Sequence, residues 1–135
     1  VVDVLSEGVW DEVSGLAPLF ADPTIVKIGH AIGGMDVSSL SRDFGIFVVN
    51  SFDTYESARE LRLSKGSGLA SVCQHYGLGE THSTEYSSLK QVYQRTEWRK
   101  RPLTPEMMQY ARYDVKFLVP LRLLLMRDLT RAQLY

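Results

Sequence analysis

Tyr110 and Asp114 stand out in MMQYARYDVKFL, residues 107–118. At ~100° per residue, a helix there places Met107, Tyr110, Asp114, Phe117, Leu118, Leu121 and Leu125 on one side. Gln109, Arg112, Lys116 and Arg127 fall on the other. A carboxylate inside an apolar stripe must be paired, protonated or bound to a cation, because burying it alone is costly. No lysine or arginine lies one turn away on its own face, and a phenol such as Tyr110 cannot neutralise a charge. Two readings stay open: Asp114 reaches an arginine or backbone amides of another segment, or it binds a metal ion. Asp36 is the second candidate. It follows the strand-like IVKIG where a helix begins, and ligands of α/β sheets gather at the carboxyl ends of strands. Capping of that helix is the alternative. Asp53 and Glu56 have the spacing of a capping box, so Asp53 is read as a cap, and His30 as packed or hydrogen-bonded. No Ser or Cys sits in a nucleophile elbow, and KGSGLA lacks the spacing of a phosphate-binding loop.

The elements that must position these residues alternate in the first half. VVDVL (1–5), TIVKIG (24–29) and IFVVN (46–50) read as strands, rich in β-branched residues. Between them, apolar residues at helical spacing predict a helix over 9–21 and another with Val37, Leu40 and Phe44 on one face, ended by Gly45. SFDTYESARELRL starts a further helix, and the second half is mostly helical: about 67–77, 85–95 and a long helix from 105. Thr104 and Pro105 are its N-cap and first residue, and Pro120 should interrupt it near Lys116. The pattern is α/β with a helical C-terminal half, one domain over residues 1–135 with helices packed on a sheet.

The 135 residues carry a formal net charge of −1, unevenly spread. Residues 1–60 hold 10 acidic and 3 basic side chains, and residues 61–135 hold 6 acidic and 12 basic. That asymmetry suits an anionic partner at the C-terminal half, or two differently solvated surfaces. The densest basic run is RTEWRKR, with Arg95, Arg99, Lys100 and Arg101 beside Trp98. Cations beside an indole suit a phosphate backbone and a stacked base, and Trp98 in the core is the competing reading. Cys73 is the single cysteine, which excludes an internal disulfide and a cysteine-based zinc site and fits an intracellular, reducing compartment. No apolar run reaches the ~20 residues of a membrane span, and no secretory or lipidation motif is visible.

YARYD, a Tyr-x-x-x-Asp, resembles the third exonuclease motif of the DEDDy 3′–5′ exonucleases, and KIGHAIGGMDVSSLSRDFGI, containing Asp36, resembles the second. VVNSFDTYESA and RTEWRKRPLTPEMMQYARYD are similar to segments of ribonuclease D and its nuclear-exosome relatives. The resemblance covers almost the whole chain. It implies a ribonuclease H-like fold in which four acidic residues hold two divalent ions, Mg²⁺ or Mn²⁺. By resemblance, Asp114 is a direct ligand of the first ion, Asp36 serves the second through water, and Tyr110 orients the attacking water. Two ions ~4 Å apart can activate a water and stabilise the leaving oxygen of an in-line displacement. The implied substrate is single-stranded nucleic acid, RNA rather than DNA, contacted by Trp98, Arg99 and Arg101, within a larger RNA-processing complex.

Two departures accompany the resemblance. Five residues separate His30 from Asp36 where many relatives have four, so an extra glycine is expected in the bend. The first motif, an Asp-x-Glu on the first strand, is absent. VVDVL is similar to the family's third strand, so the first two strands are expected upstream of Val1. A catalytically silent relative serving as an RNA-binding or assembly module is the second reading. A generic α/β domain with Asp114 as a structural acid is the third.

Overall fold

Lys27–Gly29 (β1) and Ser51–Asp53 (β2) pair in parallel, Lys27 opposite Ser51, Ile28 opposite Phe52 and Gly29 opposite Asp53. The computed structural model describes residues 1–134, and of residues 80–86 only the backbone. It divides into two compact units, one of Val2–Asp53 and one from Thr54 onward that also takes Val1. The α/β class and the helical second half are as expected.

In the first unit the expected helix over 9–21 is three pieces: α1 (Val9–Glu12), a 3-10 turn (Val13–Leu16) and α2 (Ala17–Ala21). Pro18 has no N–H to offer the Ser14 carbonyl, and the Ala17 N–H takes that carbonyl instead, tightening the turn. Then α3 (Met35–Phe44) runs as predicted and ends at Gly45, whose φ of +64° is the left-handed C-terminal conformation. Trp10 packs on Phe44 with ring centroids 4.5 Å apart.

Two expected strands do not form. In residues 1–5 the backbone turns, with the Asp3 carboxylate accepting the Leu5 N–H at 3.2 Å and the Ser6 hydroxyl at 2.9 Å. Val1, Val2 and Leu5 are more than half exposed. A strand needs a neighbour's ladder, and a local side-chain turn satisfies these amides in its place. In IFVVN, the Ile46 N–H bonds to the Leu40 carbonyl at 3.1 Å and the Val49 N–H to the Phe20 carbonyl at 2.9 Å. With those donors spent, pairing starts only where the Asn50 carbonyl accepts the Lys27 N–H at 3.0 Å.

The second unit holds α4 (Thr54–Glu60), α5 (Leu69–His75), α6 (Glu80–Tyr93), α7 (Pro105–Lys116) and α8 (Leu118–Arg131). α4 packs on α8 and α5, α5 on α6, and α6 on α7. Leu118, Leu121, Leu125 and Leu129 form the buried seam of α8, while Thr54 and Ala58 of α4 are fully buried. Cys73 is buried among apolar groups, which pushes its thiol up to about 11 and leaves it inert as a nucleophile. Pro120 ends the long helix as expected: α7 stops at Lys116, and α8 starts one residue later, after Phe117. No helix among the described residues is long and apolar enough to cross a membrane.

Thr104 caps α7 as predicted, its hydroxyl accepting the Met107 N–H at 3.2 Å. Thr104→Ala is expected to cost about 1 kcal/mol in urea unfolding, with Thr104→Ser recovering most of it.

Candidate active site

The buried side chains of α7 are Met107, Tyr110 and Tyr113, three residues apart. Asp114 sits beside that stripe, half-buried, one turn beyond Tyr110. This corrects the expected pattern, in which Asp114 occupies the middle of the apolar stripe. Tyr113 takes the buried place because its ring joins Tyr110 in an aromatic cluster packed by Ala70, Leu89, Tyr93 and Trp98. The acid is thereby left at the border, with access to water.

Trp98 is part of what holds Tyr110. Its ring lies 5.9 Å from the Tyr110 ring, tilted by 34°, and its indole N–H donates to the Tyr93 carbonyl at 3.0 Å. Buried indoles normally find such a partner, and the apolar face of Trp98 is largely used in packing. Arg99 and Arg101 are exposed. The Arg99 guanidinium grips Glu97 through two bonds of 2.9 Å, which holds the Glu97 carboxyl below its ordinary range and raises Arg99. Arg101 donates to the carbonyls of Trp98 and Lys100. The structure therefore brings Trp98 and Tyr110 together and sets the two arginines on the exposed loop beside them.

Gln109, Arg112, Tyr113 and Lys116 of α7 line a cavity of about 400 Å³. The Lys116 ammonium stands over the Tyr113 ring at 5.1 Å and the Phe117 ring at 5.4 Å.

Asp36 belongs to the first unit. It is exposed in the first turn of α3, and the N-cap is Gly34, with no side-chain cap. The capping alternative is not realised at Asp36. Among the described residues its carboxylate takes part in no hydrogen bond or ion pair. A negative charge there is favoured by the helix dipole. His30 is half-buried at the end of β1, in keeping with a packed or bonded role.

The capping spacing of Asp53 does not foretell the two long-range bonds that it makes. Its two carboxylate oxygens accept the N–H groups of Ala31 at 2.8 Å and Ile32 at 2.9 Å, in the bend that leads to α3. Glu56, its expected capping-box partner, pairs with Arg59 at 3.0 Å. The available signal was positional: an acid ending a strand beside another strand that ends in a bend.

Asp36 and Asp114 offer hard oxygen donors, which fit Mg²⁺ or Mn²⁺ in kind. Among the described residues no three or more His, Cys, Asp or Glu side chains gather as a metal site.

A family model for a 3′–5′ exonuclease matches residues 2–130. The chain belongs to that 3′–5′ exonuclease family. Over 120 residues this exonuclease-family chain is 38% identical to Protein RRP6-like 1 of Arabidopsis thaliana, covering 88% of this chain and 17% of that protein. It is 42% identical over 98 residues to Exosome complex component 10 of Homo sapiens, covering 73% and 10%. It is 36% identical over 104 residues to Exosome complex exonuclease RRP6 of Saccharomyces cerevisiae, covering 77% and 13%. The chain thus spans less than a fifth of the length of these relatives. Among solved structures, an EXD2 exonuclease domain soaked in Mn and dGMP aligns at 25% identity with a TM-score of 0.35, covering 87% of this chain and 59% of that one.

Proposed function

We propose that the chain is the exonuclease part of an RNA-processing enzyme that hydrolyses phosphodiesters from the 3′ end of single-stranded nucleic acid. RNA is the substrate in preference to DNA, and nucleoside monophosphates are the product. The observation that carries this reading is the Tyr110–Asp114 pair in a chain of this family. Tyr110 is buried and propped by Trp98, and an accessible acid follows one turn later.

In this reading Asp114 and Asp36 are ligands of two divalent ions, Mg²⁺ or Mn²⁺. When bound, such ions supply Lewis-acid stabilisation of charge on the scissile phosphate and a lowered pKa for water. This chain's own residues do the rest. Asp114 brings negative charge to the border of the aromatic cluster. Tyr110 has its ring fixed by that cluster, so its hydroxyl is a hydrogen-bonding group held in one direction, suited to orienting the attacking water. The names of the relatives in human and yeast support an assembly with an RNA-processing complex.

The test is incubation of the full-length native protein with 3′-labelled single-stranded RNA or DNA of the same sequence and Mn²⁺. Mononucleotide release, faster from RNA, is expected. RNA binding without cleavage would replace this reading with that of a silent binding module.

Trp98, Arg99 and Arg101 are assigned to substrate contact, Trp98 through the part of its half-buried ring that packing leaves exposed and the arginines by exchanging their present partners for phosphates. Arg99→Ala with Arg101→Ala is expected to weaken RNA binding about threefold to tenfold and to flatten the slope of log affinity on log salt by about 1 to 2. Fluorescence anisotropy over a salt series measures both.

A further inference from the structure

We propose that Asp53 is a positioning residue for Asp36: by holding the Ala31 and Ile32 amides, its carboxylate fixes the direction in which Asp36 leaves α3. The proposal rests on the reading of Asp36 as a ligand of a catalytic cation.

The bend between β1 and α3 is built from an unusual set of constraints. Gly29 ends β1, and a Cβ there would lie 2.2 Å from the Ile32 Cγ2, so only glycine lets the Ile32 side chain fold back onto the strand. Ala31 has φ of +57°, a left-handed conformation that side-chain-bearing residues disfavour. Such a conformation persists only where surrounding groups over-determine it. Asp53 supplies that hold. The parallel register sets it directly opposite Gly29, and each of its oxygens takes one amide, Oδ1 that of Ala31 and Oδ2 that of Ile32. Bonds from amides to an ionised carboxylate are stronger than neutral ones.

The hold is passed on through one residue. Ile32 gives its N–H to Asp53 at 2.9 Å, and its carbonyl accepts the N–H of Val37 at 3.2 Å. Val37 follows Asp36 in the first turn of α3, where no side chain caps the helix. The start of α3 is therefore tied to β2 through Ile32. Among the described residues Asp36 has no bond of its own to steer it, so its direction is that of the backbone that carries it. An asparagine at position 53 has one carbonyl oxygen and one NH₂ group, so it can accept one of the two amides while its NH₂ opposes the other.

The test compares wild type with Asp53→Asn in the full-length native protein. Hydrogen exchange across residues 31–38 is one readout. The other is the Mn²⁺ concentration that half-saturates RNA cleavage, with KM for RNA taken at saturating Mn²⁺. Asp53→Asn is expected to speed exchange in that segment and to raise the Mn²⁺ requirement about tenfold, as loss of a group that orients a ligand does. KM for RNA should stay unchanged. If the variant keeps the wild-type Mn²⁺ requirement, or if exchange in 31–38 is unaltered, the positioning role is overturned while the exonuclease reading stands. If the wild type shows no Mn²⁺-dependent cleavage, or Asp36→Asn leaves the Mn²⁺ requirement unmoved, the reading of Asp36 falls and takes the positioning role with it.

Discussion

Asp114→Asn is expected to abolish Mn²⁺-dependent release of mononucleotides while leaving RNA bound almost as tightly as before. Asparagine keeps the size and shape of the side chain and removes its charge. A divalent ion held by carboxylates loses the ligand that compensates its charge, and with it several kcal/mol of transition-state stabilisation, about a thousandfold in rate. Single-turnover cleavage of 3′-labelled RNA, run beside anisotropy on the same RNA, separates chemistry from binding. Cleavage at the wild-type rate would end the assignment of Asp114. Lost binding together with lost cleavage would make it a structural acid.

Leu125→Ala should have the largest effect on stability. Leu125 is fully buried in α8, with Leu121 also fully buried one turn earlier and Leu129 nearly so one turn later. Truncation removes apolar burial and leaves a cavity that neighbours in a close-packed seam fill only in part, about 2–5 kcal/mol. Small domains have about 5–15 kcal/mol in total, so a large share of the folded state's margin is lost. Equilibrium urea unfolding should show a lower midpoint with little change in slope. Leu123→Ala is the control, because Leu123 is 61% exposed two residues before it and should change stability by no more than about 0.5 kcal/mol. Equal costs at the two positions would contradict the seam.

How far the sequence could be read depended on how local each determinant was. Gly45 as the stop of α3, Thr104 and Pro105 as the start of α7, and the interruption before Pro120 are decided within a few residues, and all three are found. VVDVL and IFVVN have the composition of strands, but composition does not say whether a partner ladder is free. In the first, Asp3 bonds locally, and in the second, Leu40 and Phe20 already occupy the amides. The candidate acids were legible for different reasons. Tyr110 and Asp114 came from spacing on one helix, which the fold keeps. Asp114's place at the border was not legible, because it depends on Tyr113 reaching the cluster around Trp98. The long-range role of Asp53 was not legible because a capping box is a local pattern, whereas its bonds to Ala31 and Ile32 span 22 and 21 residues.

The one-residue joint at Phe117 separates two traits that a continuous helix would weld together. α8 is seated against α4, whereas α7 rests on α6, and no unbroken ladder runs from one to the other. Where the two helices part, the Phe117 carbonyl still takes the Leu121 N–H at 2.9 Å, so the joint is a bend held by one bond and not a free hinge. The leucine seam that anchors this unit and the helix that carries the acid thus answer to different neighbours, α4 for one and α6 for the other.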